Sequence, residues 1–213
     1  GFPFSLTIGI YASLVVVFAG ILFGSVCALR QNKLIDRFFM VLSTLGSTIP
    51  SFVLATGFLF LFSKTLGLVP AFGVDEVAGY IGPVLVIGAF PLSFITRLTR
   101  TSLVEVQQQD YIRTARSKGI SEFKVIYKHA LRNALLPVVT YIGPMVASIV
   151  TGSFVIETVF GIPGVGQLFT DSIVNRDYPL IMGITVFFAV LLVLAVLIVD
   201  LVYVLIDPRI KLD

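Results

Sequence analysis

Few side chains in this sequence could carry covalent or acid–base chemistry. The chain has one cysteine, Cys27, and one histidine, His129. A single cysteine excludes an internal disulfide and a thiolate metal cluster, and a single histidine excludes a multi-histidine metal site. The nearest look-alike of a phosphate-binding loop, Ser63-Lys64-Thr65, lacks the glycine that precedes the lysine in that motif. We therefore predict that the chain is not catalytic alone and holds no cofactor or metal.

The polar residues that do cluster are basic, and they lie between residues 97 and 132. Eight of the 15 lysines and arginines fall in this segment, although the net charge of the chain is only +3. Basic side chains at this density can pair with acidic groups on a soluble partner, which sets orientation and association rate. The alternative is a basic amphipathic helix that lies on anionic lipid.

The elements that position this segment are strongly apolar. Hydrophobic residues make up 57% of the chain and charged residues 13%, about half of what a soluble domain carries. The mean hydropathy is +1.02. A compact soluble domain of this length has too little interior to bury so many apolar side chains, and the same composition excludes disorder.

Five uncharged runs of 20 to 26 residues are long enough to cross a bilayer as helices. They are Leu6–Leu29, Phe38–Ser63, Val77–Thr96, Asn133–Ile156 and Tyr178–Val199. Only a helix satisfies its own backbone hydrogen bonds in lipid. The predicted fold is therefore all-α, a polytopic transmembrane helix bundle with five spanning helices.

Two further patterns suit a packed bundle. A stripe of small residues at a spacing of four predicts close helix packing, at Gly20, Gly24 and Ala28. Prolines are expected to interrupt the runs, at Pro50, Pro83, Pro91 and Pro144.

The basic residues also assign the sides of the membrane. Alternate segments between the runs hold 13 of the 15, and the positive-inside rule makes those segments cytoplasmic. The C-terminus is then cytoplasmic and Gly1 lies on the outer side. Because no signal peptide precedes Gly1, this orientation predicts at least one further transmembrane segment upstream.

A helix–glycine–helix element is predicted within the basic segment, over residues 110–134, which we call the elbow. Apolar or small residues recur there at steps of three or four, at Tyr111, Ala115, Gly119, Phe123, Ile126, Ala130 and Ala134. Gly119 is the expected helix stop and Ser121 the expected cap of the next helix.

Here the sequence resembles a known family. The run from Asp110 to Gly119, followed by His129 to Pro137, resembles the cytoplasmic "EAA" loop of ABC-importer membrane subunits. Ala115, Gly119 and Leu131 fit the general pattern. Several positions depart from it, at Arg113, Thr114, His129 and Arg132. The departures and the later Pro137 match the variant in dipeptide, oligopeptide and nickel permeases.

Three more segments resemble the same subfamily, so the resemblance covers essentially the whole chain. They are 35–52, the external loop 157–179, and the C-terminal 200–209. The sequence is identified as a member of the type-1 importer permeases and resembles the first, B-type, of two paralogous subunits. Residues 1–213 would then form one transmembrane domain that lacks the family's N-terminal helix and external region, with a coupling loop at 97–132.

The resemblance implies a function and a set of partners. The chain would be a multi-pass protein of a prokaryotic inner membrane that forms half of a translocation pathway for peptides. The implied partners are a paralogous second permease, two cytoplasmic ATPase subunits, an external solute-binding protein and the lipid bilayer, with no nucleic acid. The residues implied to couple to an ATPase are Tyr111, Arg113, Thr114, Ala115, Arg116, Ser117, Lys118 and Gly119. In this hypothesis Ala115 and Gly119 make packing contacts with the ATPase, and the basic residues steer it.

Two other features are candidates for transport roles. The external loop is too apolar for a plain solvent loop, and a Gly/Pro turn followed by a short helix could gate the outer mouth or meet the binding protein. The candidate gate residues are Phe160, Gly161, Pro163 and Gly164. Asp200 is the clearest intramembrane charge, and a structural role is favoured for it. Arg97 and Arg100 lie near a helix end and can snorkel to the interface.

Three alternatives remain open at this stage. The same architecture could import nickel or another small solute. A secondary transporter or channel would depend on an ion gradient without ATP, but such proteins place ionisable residues in mid-membrane, where these runs are nearly free of charge. An anchoring protein could use the elbow only to recruit a soluble enzyme.

Overall fold

The computed structural model describes residues 1–150 and 152–206, without the side chains at 199, 200 and 202–206. The described part of the chain is helical and contains no β-strand. In chain order the α-helices are α1 Phe2–Leu29, α2 Leu34–Thr48, α3 Ser51–Phe58, α4 Ile81–Gln107, α5 Asp110–Ser117, α6 Glu122–Lys124, α7 Leu131–Ala134, α8 Leu136–Val150, α9 Phe154–Val159, α10 Val165–Val174 and α11 Tyr178–Ile206. Two π-helical segments, Leu59–Thr65 and Val125–Ala130, continue α3 and join α6 to α7.

Three of the five predicted membrane spans are single helices in the structure. α1, the segment Val77–Gln107 and α11 are each long and apolar enough to cross a bilayer. Two broken pairs, Leu34–Thr48 with Ser51–Thr65 and Glu122–Ala134 with Leu136–Val150, bring the number to five if each pair is one span. The all-α polytopic bundle predicted from the sequence is confirmed.

The prolines behave differently from the expectation. Only Pro50 separates two helices, whereas Pro91 and Pro144 lie inside α4 and α8. Pro83 falls in the first turn of α4, where its missing N–H costs no hydrogen bond. A proline inside a helix removes one backbone hydrogen bond, and a long apolar helix tolerates that loss. The presence of a proline alone is therefore a weak predictor of a helix break.

Helix α2 buries polar side chains and exposes apolar ones. In α2 the buried residues are the polar Asp36 and Ser43, while Leu34 and Phe38 are exposed. Burial of polar side chains beneath an apolar surface is unstable in water but is expected where the outer surface faces lipid.

The small-residue stripe of α1 does allow close packing. A Cβ on Gly24 would lie 2.6 Å from the backbone oxygen of Thr96 and 2.5 Å from Cβ of Thr99, both in α4. Cys27 is fully buried, as expected for a small apolar side chain. The predicted close packing at the small-residue stripe and the predicted burial of Cys27 are both confirmed.

A buried ion pair replaces the predicted snorkelling of one arginine. α4 continues past the uncharged run to Gln107, so Arg100 lies within it. Arg100 donates from Nε and Nη2 to the two carboxylate oxygens of Asp36 at 2.6 and 2.7 Å. The N–H of Asn32, which has φ +63°, donates to Asp36 Oδ2 at 2.8 Å. Because Asp36 is almost fully buried, this pair satisfies a charge that could not otherwise remain ionised inside the protein.

The chain divides into two compact units. Residues 16–48 and 90–142 form one, which contains the elbow and which we call the elbow unit. Residues 1–15, 49–89 and those from 143 onward form the other, which contains the external loop and which we call the loop unit.

Candidate functional site

The elbow consists of two helical arms joined at a glycine. α5 ends at Ser117, and Gly119 adopts φ +75°. The N–H of Gly119 donates to the carbonyl of Arg116 at 2.9 Å, and the N–H of Ile120 donates to that of Ala115 at 3.4 Å. These two bonds form a Schellman motif. Its left-handed backbone conformation costs residues other than glycine roughly 1–2 kcal/mol, and glycine avoids that cost. The predicted helix stop is therefore confirmed.

The second arm runs from Glu122 to Ala134 through the π-helical segment. Ser121 occupies the N-cap position before it, as predicted, but its side chain makes no capping hydrogen bond. An ion pair closes the gap between the arms instead. Arg116 Nη2 and Nε donate to Glu122 Oε1 and Oε2 at 2.7 and 3.1 Å, which raises the pKa of Arg116.

This pairing changes the role expected for Arg116. The sequence predicts that Arg116 pairs with an acidic group on a partner, whereas in the structure it pairs with Glu122 across the glycine turn. Both side chains are exposed, so the pair contributes only about 0.2–1 kcal/mol and serves mainly to fix the angle between the arms.

The inner face of the elbow packs into the elbow unit. Ala115 is only 8% exposed and belongs to a core with residues of α1, α4 and the second arm. The members of this core are Ala28, Leu103, Ile112, Ala115, Val125, Ala130 and Ala134. Ala115 is therefore not accessible for the contact with a partner that the sequence predicts. Its small side chain lets α5 lie close to its own core.

The predicted apolar stripe is also partly wrong. Tyr111 and Phe123 are exposed, while Ile112 and Val125 occupy the interior. In α5 the residue that shares the buried face with Ala115 is Ile112, three residues earlier, rather than Tyr111, four residues earlier. The prediction is confirmed at Ala115, Ala130 and Ala134, which are buried. The Oη of Tyr111 accepts a hydrogen bond from Asn133 Nδ2 at 2.8 Å, so Tyr111 links α5 to α7.

The outer face of α5 is open. The exposed residues of α5 and of the turn that follows it are Asp110, Tyr111, Arg113, Thr114, Arg116, Ser117, Lys118 and Gly119. Arg113 has only a distant partner at 3.7 Å, Asp110, and both side chains are largely exposed. A Cβ built on Gly119 would meet no atom within 4 Å. This face therefore presents loosely held positive charge beside a backbone that another surface can approach closely.

The external loop in the loop unit contains the predicted Gly/Pro turn and short helix, and a further short helix precedes the turn. α9 and α10 flank residues 160–164, and Glu157 of α9 is only 1% exposed. Its Oε2 accepts the N–H of Gly166 at 2.7 Å. The carboxyl also accepts hydrogen bonds from Ser5 and from the backbone at Gln167 and Ser153. Glu157 thus caps α10, whose N-cap residue is a glycine without a side chain.

Glycines close a cage around this carboxyl. A Cβ on Gly164 would overlap Glu157 Oε2, and one on Gly166 would lie 2.8 Å from it. A Cβ on Gly152, which has φ +88°, would lie 2.7 Å from Oε1. Burial raises the pKa of Glu157, and the hydrogen bonds it accepts oppose that rise. Sequence reasoning missed this residue, although a lone acid in the apolar run 154–160 was a visible signal.

The candidate gate residues lie around the same turn but differ in exposure. Phe160 and Gly164 are buried, Gly161 is half-buried with φ +60°, and Pro163 is exposed. The Phe160 ring lies 6.2 Å from that of Phe58, and its carbonyl accepts the N–H of Gly73 at 3.0 Å. The structure brings these residues together at one turn.

Two remaining predictions concern charge and metal. Asp200 lies in the part of α11 whose side chains are not described, so its environment is outside the described residues. Within the described residues there is no group of three or more His, Cys, Asp or Glu side chains that could hold a metal ion.

Comparison with known proteins gives close relatives over the full length of the chain. It is 50% identical over 212 residues to the dipeptide transport system permease protein DppB of Bacillus subtilis, covering 100% of this chain and 69% of the relative. It is 43% identical over 212 residues to the oligopeptide transport system permease protein OppB of Haemophilus influenzae, covering 99% of this chain and 69% of that protein.

The fold matches a solved structure as well. A chain of the MetNI methionine ABC transporter in an inward-facing conformation superposes with a TM-score of 0.74 at 16% identity, covering 95% of this chain and 92% of that one. This likeness confirms the predicted type-1 importer-like fold. Residues 20–212 match the family of binding-protein-dependent transport system inner membrane components. The chain belongs to this family of importer permeases, as the sequence resemblance predicted.

Proposed function

We propose that this chain is a membrane-spanning subunit of an ATP-driven importer, that it forms half of the pathway for di- and oligopeptides, and that its elbow couples it to a cytoplasmic ATPase subunit. The peptide substrate follows from the relatives, which are named as dipeptide and oligopeptide permeases. ATP hydrolysis occurs in separate subunits, since the chain has no phosphate-binding loop of its own.

The observation that carries the coupling role is the construction of the elbow. Its inner face is buried in a core shared with α1 and α4, while its outer face is open and basic. A force applied to the outer face is therefore transmitted to two long membrane helices through packed side chains. Such rigid transmission is what a two-state alternating-access mechanism requires of the element that an ATPase moves.

The proposal includes a topology and a set of partners. The coupling segment 97–132 and the C-terminus lie in the cytoplasm, and Gly1 and the external loop 157–179 lie outside. A paralogous second permease supplies the other half of the pathway. One of two ATPase subunits receives the outer face of α5, through Arg113, Thr114, Ser117, Lys118 and Gly119, while Tyr111, Ala115 and Arg116 hold that face in place.

The turn of the external loop completes the proposal. Phe160, Gly161, Pro163 and Gly164 form an outer gate or a contact for the solute-binding protein. The exposed Pro163 is the contact, and the buried Phe160 and Gly164 give the turn its shape. The capped carboxyl of Glu157 keeps that shape fixed.

Uptake measurements test the transport role. The full-length permease with its partner subunits in proteoliposomes should accumulate labelled dipeptide when ATP is supplied on the ATPase side. Labelled nickel serves as the alternative cargo. Uptake driven by a proton or sodium gradient without ATP would contradict the proposal, and uptake of nickel but not of peptide would contradict the peptide assignment.

Cross-linking tests the topology and the docking face together. The one native cysteine is fully buried, so an introduced surface cysteine is the reactive one. Ser117→Cys should cross-link to the ATPase subunit and not to the binding protein. Asn175→Cys, an exposed position next to the external loop's second helix, is the matched control and should give no ATPase adduct. The reverse pattern, or no difference between the two positions, would overturn the assignment.

A further inference from the structure

A basic recess lies at the glycine turn of the elbow and extends along the second arm. It encloses about 480 Å³ and is lined by Gly119, Ile120, Ser121, Lys124, Lys128 and His129. Lys124 and Lys128 are exposed, and neither forms a salt bridge with a described residue. The recess therefore holds two positive charges that lack a counterion within the described part of the chain.

The acid nearest to these lysines along the chain, Glu122, does not supply that counterion. Both of its carboxylate oxygens accept hydrogen bonds from Arg116, at 2.7 and 3.1 Å. Glu122 does not line the recess, and none of the residues that do is acidic. The two lysines are thus left to pair with a carboxylate from another protein.

The recess also has an apolar wall. Ile120 lines it and is half-buried, because it packs against the core that contains Ala115 and Val125. A partner that covered the recess would displace water from the two ammonium groups, and charges attract more strongly where water and salt screen them less. A carboxylate held there would therefore attract the lysines more strongly than Glu122 attracts Arg116 on the open surface.

The position of the recess identifies the partner. Gly119 belongs both to the recess and to the outer face of α5, on which the ATPase subunit is proposed to dock. Gly119 is exposed, and a Cβ built on it would meet no atom within 4 Å. A surface that is seated on α5 can therefore extend over the turn and reach Lys124 and Lys128.

We propose that this recess receives an aspartate or glutamate side chain of the ATPase subunit, whose carboxylate pairs with Lys124 and Lys128. The inference rests on the proposed docking of α5 and adds a second contact, on the other side of the glycine turn. A partner held only at α5 would pull on one arm of the elbow. A partner held on both arms moves them together, so that the turn at Gly119 does not bend when the ATPase moves.

Carbodiimide cross-linking of the complete transporter tests the pairing directly. The reagent joins a lysine amine to a carboxylate as an amide, without a spacer, so the two groups must be in contact. Mass spectrometry of the digested product should find Lys124 or Lys128 joined to an aspartate or glutamate of the ATPase subunit. Lys33 is the matched control, because it is exposed and lines a different basic recess, and it should give no such adduct.

Charge reversal measures the strength of the contact. Lys124→Glu with Lys128→Glu should lower the affinity of the ATPase subunits for the solubilised permease pair more than about tenfold at low salt, and the loss should shrink as salt is raised. Lys124→Arg with Lys128→Arg keeps the charge and should stay within about twofold of the wild type. Lys33→Glu with Arg37→Glu reverses the same charge in the other recess and should also stay within about twofold.

The Ser117→Cys cross-link separates a failure of this inference from a failure of the proposed function. If Ser117→Cys forms the ATPase adduct but neither Lys124 nor Lys128 does, α5 docks and the recess does not receive an acid. No ATPase adduct at any of the three positions would overturn the docking and this inference together. Unchanged ATPase affinity in the charge-reversed variant would also overturn the inference, and lower retention of phosphatidylglycerol by that variant would identify a lipid phosphate as the occupant.

Discussion

The elbow and the external loop are both two helices joined at glycines, yet their turns are built in opposite ways. At the elbow, Gly119 faces open space and the ion pair between the arms is exposed. In the external loop, Gly164 and Gly166 are pressed against the buried carboxyl of Glu157. A turn with open space around its glycine lets another protein approach the backbone closely. A turn whose glycines pack against a buried side chain is suited to keep a fixed conformation.

The largest effect is expected at the filled turn. Gly164→Ala would place a methyl group onto the Glu157 carboxyl and 2.7 Å from Ser5 Oγ, so the carboxyl must leave its cage. Overpacking of this kind costs about 1–3 kcal/mol, and thermal unfolding of the purified protein should show a lower Tm. Gly57→Ala, at a helical glycine with no neighbour within 4 Å, is the control and should leave Tm unchanged or raise it. Equal Tm values for the two variants would contradict tight packing of Gly164 against the Glu157 carboxyl.

The filled turn should also respond to pH. Burial raises the pKa of Glu157, so its protonated form is favoured in the folded loop. Its contribution to stability is fully present below the ordinary value of 4.5 and is lost as pH rises through the raised value. Glu157→Gln, which mimics the protonated form, should show a smaller loss of Tm between pH 4 and pH 8 than the wild type. Parallel Tm profiles for the two proteins would contradict the raised pKa.

Strain, rather than overlap, should govern the open turn. Gly119→Ala keeps the left-handed backbone without a clash and should cost about 1–2 kcal/mol of stability. Gly119→Asn should cost less, because asparagine tolerates that conformation. Thermal unfolding of the two variants side by side checks the order. A loss at Gly119→Asn as large as that at Gly119→Ala would contradict backbone strain as the cause.

The smallest effect is expected at the ion pair across the elbow. Arg116→Gln, Glu122→Gln and the double variant form a mutant cycle whose coupling energy should be about 0.2–1 kcal/mol and should fall with salt. The Glu122→Gln variant frees the Arg116 charge without removing it. A coupling energy of several kcal/mol would show that the arms are held by charge rather than by the shared core.

The sequence was sufficient for features that are local in the chain. The long apolar runs, the stop at Gly119 and the close approach at Gly24 each follow from nearby residue types. The pairing of Asp36 with Arg100 does not, because its partners are 64 residues apart and no pattern marks one as belonging to the other. Without a partner visible in the sequence, Arg100 is expected to snorkel to the membrane interface.

The helix–glycine–helix of the elbow was predicted in position but not in orientation. The elbow residues are where the resemblance placed them, but Ala115 faces its own core and Arg116 is engaged by Glu122. Which face of α5 turns inward is not fixed by its pattern, because Tyr111 and Ile112 both stand at helical spacing from Ala115 and only Ile112 shares its buried face. The cage of Glu157 was missed for a related reason, since its glycines enclose the carboxyl only after the loop has folded.

The central claim, that the open turn of the elbow receives an ATPase, is tested most directly by a pair of glycines. Gly119 and Gly67 both follow a helix end, have φ of +75° and +62°, and have no atom within 4 Å of a Cβ. Valine at either position imposes the same backbone strain and the same new side chain. In the complete transporter, Gly119→Val should reduce peptide-stimulated ATP hydrolysis more than about tenfold, while Gly67→Val should leave it within about twofold of the wild type. Equal ATPase stimulation in the two variants, with both correctly inserted, would contradict the claim.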